Sequence, residues 1–166
     1  MSLVPEDLVE ETWREVASYS GDEISLVMEK AGKRQPALLA YVMAETAESR
    51  PDVRELAVYL YIVILRMFDK MPAHKLKRVP IGKIERMSGQ NEDWLDRLRS
   101  AHERFVERTA EIASETQPNV LRYLLEAIFE PEDPSLELTE EEQGLVFLVL
   151  KTTLDLLDGA CKKKRF

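Results

Sequence analysis

The chain reads as all-α: a single-domain bundle of six or seven helices built from two similar three-helix halves. Three observations lead there. From Leu56 to Leu65 every residue is apolar or tyrosine, and a helix that is apolar nearly all round must be enclosed by other elements. Elsewhere apolar residues recur at spacings of three and four between proline, glycine and capping residues, with no strand alternation leading into a hairpin turn. Finally, the chain resembles itself. Gln35-Pro36-Ala37-Leu38-Leu39-Ala40-Tyr41-Val42-Met43 matches Gln117-Pro118-Asn119-Val120-Leu121-Arg122-Tyr123-Leu124-Leu125, which is the kind of recurrence an internal duplication leaves.

Each element has its own justification. Pro5 followed by Glu6 and Asp7 starts a helix with Val9, Trp13, Val16 and Ala17 on one stripe. Asp22 is the expected cap of a second helix carrying Ile24, Val27, Met28 and Ala31, ended by Gly32. Gln35-Pro36 opens a third. The apolar helix follows after Ser49, and its flanking charges and modest length exclude a bilayer span. From Pro72 to Gln90 periodicity lapses, predicting a connector with at most a helical turn near Ile84 to Met87. Asn91-Glu92-Asp93 then begins a long helix with Trp94, Leu98, Ala101, Phe105, Thr109 and Ile112 at helical spacing. Gln117-Pro118 opens another, and Thr139-Glu140-Glu141-Glu142 is a capping box before the final leucine-rich helix.

The expected organisation is therefore one domain over 1–166. It comprises a half-repeat 5–71, a basic connector 72–90, a half-repeat 91–158 and a basic tail 159–166. Glu6-Asp7-Leu8-Val9-Glu10 aligns with Glu92-Asp93-Trp94-Leu95-Asp96, and Val58 to Asp69 aligns with Gly144 to Asp155. The two most apolar helices, around Leu60 and Leu148, are expected to meet at a pseudo-twofold axis.

Charge is unevenly distributed. The chain of 166 residues carries a formal charge of -8, which argues against a general affinity for nucleic acid. Yet between Lys70 and Arg86 stand six basic residues and one acid, and Lys162-Lys163-Lys164-Arg165 forms a second basic run. Lys75, Lys77, Arg78, Lys83 and Arg86 are the candidate contacts for nucleic acid or another anion. The competing reading is that these charges neutralise the acidic helices they cross.

Catalytic chemistry finds no foothold. Two histidines, His74 and His102, and one cysteine, Cys161, cannot supply a zinc site. Arg99 stands where a Glu-x-x-His di-iron motif would need its glutamate. There is no glycine-rich phosphate loop or nucleophile elbow, so neither metal nor cofactor is expected. Three lysines beside Cys161 would favour its thiolate if they lie close in space. A single cysteine suits a reducing interior, and Glu6, Asp7, Glu10 and Glu11 occupy the place of a signal peptide's apolar segment, so the expected compartment is the cytoplasm.

Val58, Tyr61 and Leu65 form a surplus apolar stripe, with Phe147 the counterpart of Tyr61 in the second half; packing within the chain explains these residues best, a homodimer interface next and a ligand pocket third. The functional expectation is a non-enzymatic interaction or structural module that self-associates or binds another protein. The alternative is a nucleic-acid-associated or regulatory protein working through residues 70–86 and 162–165.

Overall fold

The starts of the helices explain most of the architecture. The computed structural model describes residues 3–71, 74–101, 117–131, 133 and 135–163. Among them run α1 (Glu6–Ala17), α2 (Gly21–Arg34), α3 (Pro36–Glu45), α4 (Pro51–Asp69), β1 (His74–Leu76), α5 (Ile81–Ala101), α6 (Pro118–Phe129), α7 (Glu140–Ala160) and β2 (Cys161–Lys163). The fold is an all-α bundle whose only strands among the described residues are β1 and β2.

Two helices begin with reciprocal capping boxes, each satisfying backbone donors that a helix start otherwise leaves open. At α7 the box joins Thr139 and Glu142, as the sequence predicts. At α2 it joins Ser20 and Glu23, so the cap is Ser20 rather than Asp22. Serine at that position accepts the Glu23 amide at 3.2 Å while the Glu23 carboxylate returns to the Ser20 amide.

The largest departure from expectation is α5, which begins at Ile81, ten residues before Asn91. Ile84, Met87, Asn91 and Trp94 recur at helical spacing, with Ile84 and Asn91 buried. A polar residue on the inner face hides that stripe from a reading based on apolar periodicity. Gly82 and Gly89 lie inside α5 without breaking it, and no close packing requires a glycine at either place, since nothing lies within 4 Å of an added Cβ. Asn91 is accommodated because its side-chain amide donates to the Thr152 hydroxyl at 3.1 Å and the Asp155 carboxylate at 3.2 Å. The expected continuation through Phe105, Thr109 and Ile112 lies outside the described residues.

At the centre α4 packs directly on α7. Leu60, Tyr61, Ile62, Val63 and Ile64 are all buried, so every side of α4 is covered. On α7 Val146, Phe147, Val149 and Leu150 are buried, while Leu148 itself is only half-buried. Helices α1, α2 and α3 cover α4, and α3, α5 and α6 cover α7.

The two central helices run parallel. At their starts, Arg50 grips Glu142 with two bonds of 2.8 Å and also donates to the Glu137 carbonyl. At their ends, β1 and β2 pair antiparallel, and the Lys77 amide donates to the Ala160 carbonyl at 3.2 Å.

Gln35 and Gln117 lock this second end. They stand at the N-caps of α3 and α6 with nearly the same backbone angles, φ -131° and ψ 66° against φ -129° and ψ 73°. Neither caps its own helix. Instead Gln35 accepts from the Val79 amide at 3.0 Å and donates to the Lys77 carbonyl at 2.8 Å. Gln117 accepts from the Val4 amide at 2.9 Å and donates to Asp158 at 2.8 Å. Each buried glutamine thus ties down a Val-Pro dipeptide that precedes another helix, Val4-Pro5 before α1 and Val79-Pro80 before α5.

Replacing either glutamine by alanine leaves a buried valine amide without an acceptor. The expected loss is about 1–3 kcal/mol per site, checked by denaturant unfolding of Gln35→Ala and Gln117→Ala.

The Arg50 pair carries a pH signature. Arg50 hydrogen bonds hold the Glu142 carboxyl down at about 2, from an ordinary value of 4.5. A carboxyl depressed by folding stabilises the native state above its unfolded pKa, and that contribution fades as pH falls from about 4.5 toward 2. Thermal unfolding of Arg50→Ala should therefore show a loss of stability at pH 7 that shrinks across this acid window.

Candidate functional site

The two basic segments, 87 residues apart at their facing lysines (Lys75 and Lys162), meet in one ribbon. Lys75 stands opposite Lys162, His74 opposite Lys163 and Leu76 opposite Cys161. Like charges directly across a strand pair oppose its formation, so the pairing is held by its backbone bonds and by the helices that deliver the two strands. Leu76 is half-buried against the core and helps seat the ribbon.

Beyond β1, the Gln35 anchor at Val79 fixes the course of the chain. Val79 is buried, while Lys77 and Arg78 just before it are exposed. Arg78 donates to the Lys33 carbonyl at 3.1 Å. The first turns of α5 add Lys83 and Arg86, three residues apart on one exposed face. A cleft of about 520 Å³ lies among Lys77, Arg78, Lys83 and Arg86, closed on its far side by Asp155 and Leu156 of α7. Ile81 at its edge is 67% exposed.

Most cations elsewhere among the described residues are paired with a carboxylate, Lys30 and Arg54 excepted. Arg34, Arg50, Arg66 and Lys151 each meet a carboxylate within 4 Å. Lys70 approaches Glu15 at 3.4 Å. Among the described residues Lys75, Lys77, Arg78, Lys83 and Arg86 have no such partner. Direct ion pairing with the acidic helices is therefore not what these five positions do among the described residues. Asp155, the acid nearest the cleft, is already engaged by Lys151 at 2.6 Å and by Asn91.

The other candidates fall elsewhere. Val58, Tyr61, Leu65 and Phe147 are buried within the chain, Tyr61 and Phe147 completely, and they present no surface to a partner. Phe147 stacks near Trp94 at 6.1 Å between ring centres, and the Lys151 ammonium lies 4.9 Å from the Trp94 ring centre. The Cys161 thiol is pushed up, by burial first and by Asp158 second, which is the reverse of an activated thiolate. His102 lies outside the described residues. Among the described residues no group of His, Cys, Asp and Glu side chains could hold a metal ion, and no helix is long and apolar enough to cross a membrane.

Sequence reasoning found the five cations but missed the cleft that four of them line. The spacing of Lys83 and Arg86 would have placed both on one helix face had α5 been read from Ile81. The contribution of Asp155 and Leu156 depends on the α5–α7 contact, for which no local signal exists.

Fold and site together define an all-α bundle with an unneutralised cationic end. No family model matches the chain, and neither a curated protein nor a solved structure matches it.

Tyr61 offers a test of the interior. Its hydroxyl is fully buried without a hydrogen-bond partner, and burial, then the charge of Asp69, pushes its pKa upward. Because no bond is lost, Tyr61→Phe should be neutral or stabilising by up to about 1 kcal/mol in urea unfolding.

Proposed function

We propose that this protein is a non-enzymatic binding module whose basic end contacts a polyanion, the phosphate backbone of nucleic acid. The observation that carries the reading is the antiparallel register of Lys75 and Lys162, beside four exposed cations without carboxylate partners. Cations left together without counter-charges attract an anion that gathers them, and release of its bound salt ions supplies much of the affinity. The net charge of -8 does not forbid this. At physiological salt the screening length is about 8 Å, so acidic surface farther away contributes little at the contact.

The recognition is of backbone rather than bases. Among the described residues no aromatic side chain lines the cleft, so they offer no stacking platform of the kind a single-strand binder uses. Ile81 supplies one apolar contact at the edge.

An internal duplication is part of the same proposal. What supports it is the matched pair of glutamine anchors and the parallel central helices, together with the Gln-Pro sequence match. On this reading residues 5–71 and 91–158 belong to two similar halves in one domain, and the α5 start at Ile81 extends the second half toward the connector. The ribbon then closes the two halves at their common end.

Fluorescence anisotropy with a 20-base-pair duplex across a salt series is the test. Binding should weaken linearly with log salt, and Lys75→Glu/Lys77→Glu/Arg78→Glu should cost at least about tenfold in affinity and flatten that slope by about three units. A parent protein without salt-sensitive binding overturns the proposal.

A further inference from the structure

A second surface, sharing no lining residue with the basic cleft, lies along the seam of α1 and α6. Its deeper part encloses about 500 Å³ over Trp13, Leu56, Tyr59, Tyr123 and Leu136, with Glu126, Glu130 and Asp133 at the mouth. A shallower stretch shares Trp13, Tyr123 and Glu126 and continues past Glu6, Glu10 and Arg122. There Glu6 meets Arg122 at 3.7 Å and Glu10 meets Arg14 at 2.6 Å, so the groove's unpaired acids are those of the deeper part. The floor of the deeper part is thus aromatic and aliphatic, and its mouth is acidic.

The groups in the groove are poised for a cation. Glu126 and Glu130 are exposed, and neither has a basic group within 4 Å among the described residues. Asp133 is kept ionised by hydrogen bonds from the Ser135 hydroxyl and amide. Burial raises the pKa of Tyr59 and Tyr123, so both phenols keep their protons, and neither hydroxyl bonds another described residue. Indole and phenol faces attract ammonium and guanidinium groups through the ring quadrupole. The Trp13 ring already holds the Arg14 guanidinium 5.5 Å from its centre.

We propose that this groove docks a short basic segment of a partner protein. One lysine or arginine side chain lies across the Trp13, Tyr59 and Tyr123 floor, its charge reaching Glu126 or Glu130. A neighbouring apolar side chain packs between Leu56 and Leu136. Charge complementarity selects this occupant. A nucleic acid is repelled by the rim, and a purely apolar helix would strip water from Glu126 and Glu130 without replacing it. The surface is independent of the basic end, so the protein joins an anionic polymer on one side to a basic polypeptide on the other.

The probe is a tryptophan-free hexapeptide of alternating lysine and leucine, titrated at low salt while Trp13 fluorescence is followed, with Trp13→Phe identifying that signal. The expected result is saturable binding that weakens with salt. It should fall at least about tenfold in Glu126→Lys/Glu130→Lys, whose circular dichroism stays native because both residues are exposed. Binding should persist in the Lys75→Glu/Lys77→Glu/Arg78→Glu protein, which separates this surface from the basic end. Four outcomes overturn the proposal: no binding to the parent, equal binding of a glutamate-leucine hexapeptide, spermine binding as tightly as the peptide, or concentration-dependent self-association that the Glu126/Glu130 reversal abolishes.

Discussion

A helix that is apolar on every side cannot survive in water, and α4 is such a helix. From Leu60 to Leu65 it has no residue it can leave exposed. Covering it takes α1, α2 and α3 on the flanks and α7 on the remaining face. At about 25 cal/mol per Å² of apolar surface removed from water, this enclosure dominates any single polar contact in the molecule. The polar contacts then decide the register in which the enclosure happens.

That register has consequences at both ends. With α4 and α7 parallel, their starts fall together at Arg50 and Glu142. Their exits fall together as well, and the two basic segments that follow them cannot avoid one another. The glutamine anchors tighten the same end, binding the approach to α1 through Val4 and the approach to α5 through Val79. The concentration of positive charge is thus a product of helix direction and not of a dedicated binding motif. Lys75 and Lys162 are neighbours because Leu60 and Leu150 need burial.

This dependence explains what was legible in the sequence. The all-α class, the Gln-Pro starts, the α7 capping box and the central place of Leu56 to Leu65 follow from local chemistry, and all four were readable. The start of α5 was not, because Asn91 interrupts its apolar stripe and finds partners only on α7. The partners of the two glutamines were not legible either, since nothing local announces a bond to Val79 or Val4. The strand pair was invisible for the same reason: three residues on each side carry no alternation that composition could reveal. Of the candidate site, the basic residues were plain, while their freedom from carboxylates required knowing which acids other cations had already taken. The apolar stripe through Val58 and Tyr61 looked like surplus only because the number of helices around it was unknown.

The central claim is that α4 and α7 exit side by side and pair their following segments in one register. Leu76 and Cys161 face each other directly in that ribbon, within the Cα separation of about 4.4–6.8 Å that a disulfide bridges. Mild oxidation of Leu76→Cys tests this, with the native Cys161 as the second thiol and non-reducing electrophoresis plus peptide mapping as the readout. The account predicts rapid formation of an intramolecular 76–161 disulfide in the folded monomer. Thiols that stay free, or that link only between molecules, would contradict it.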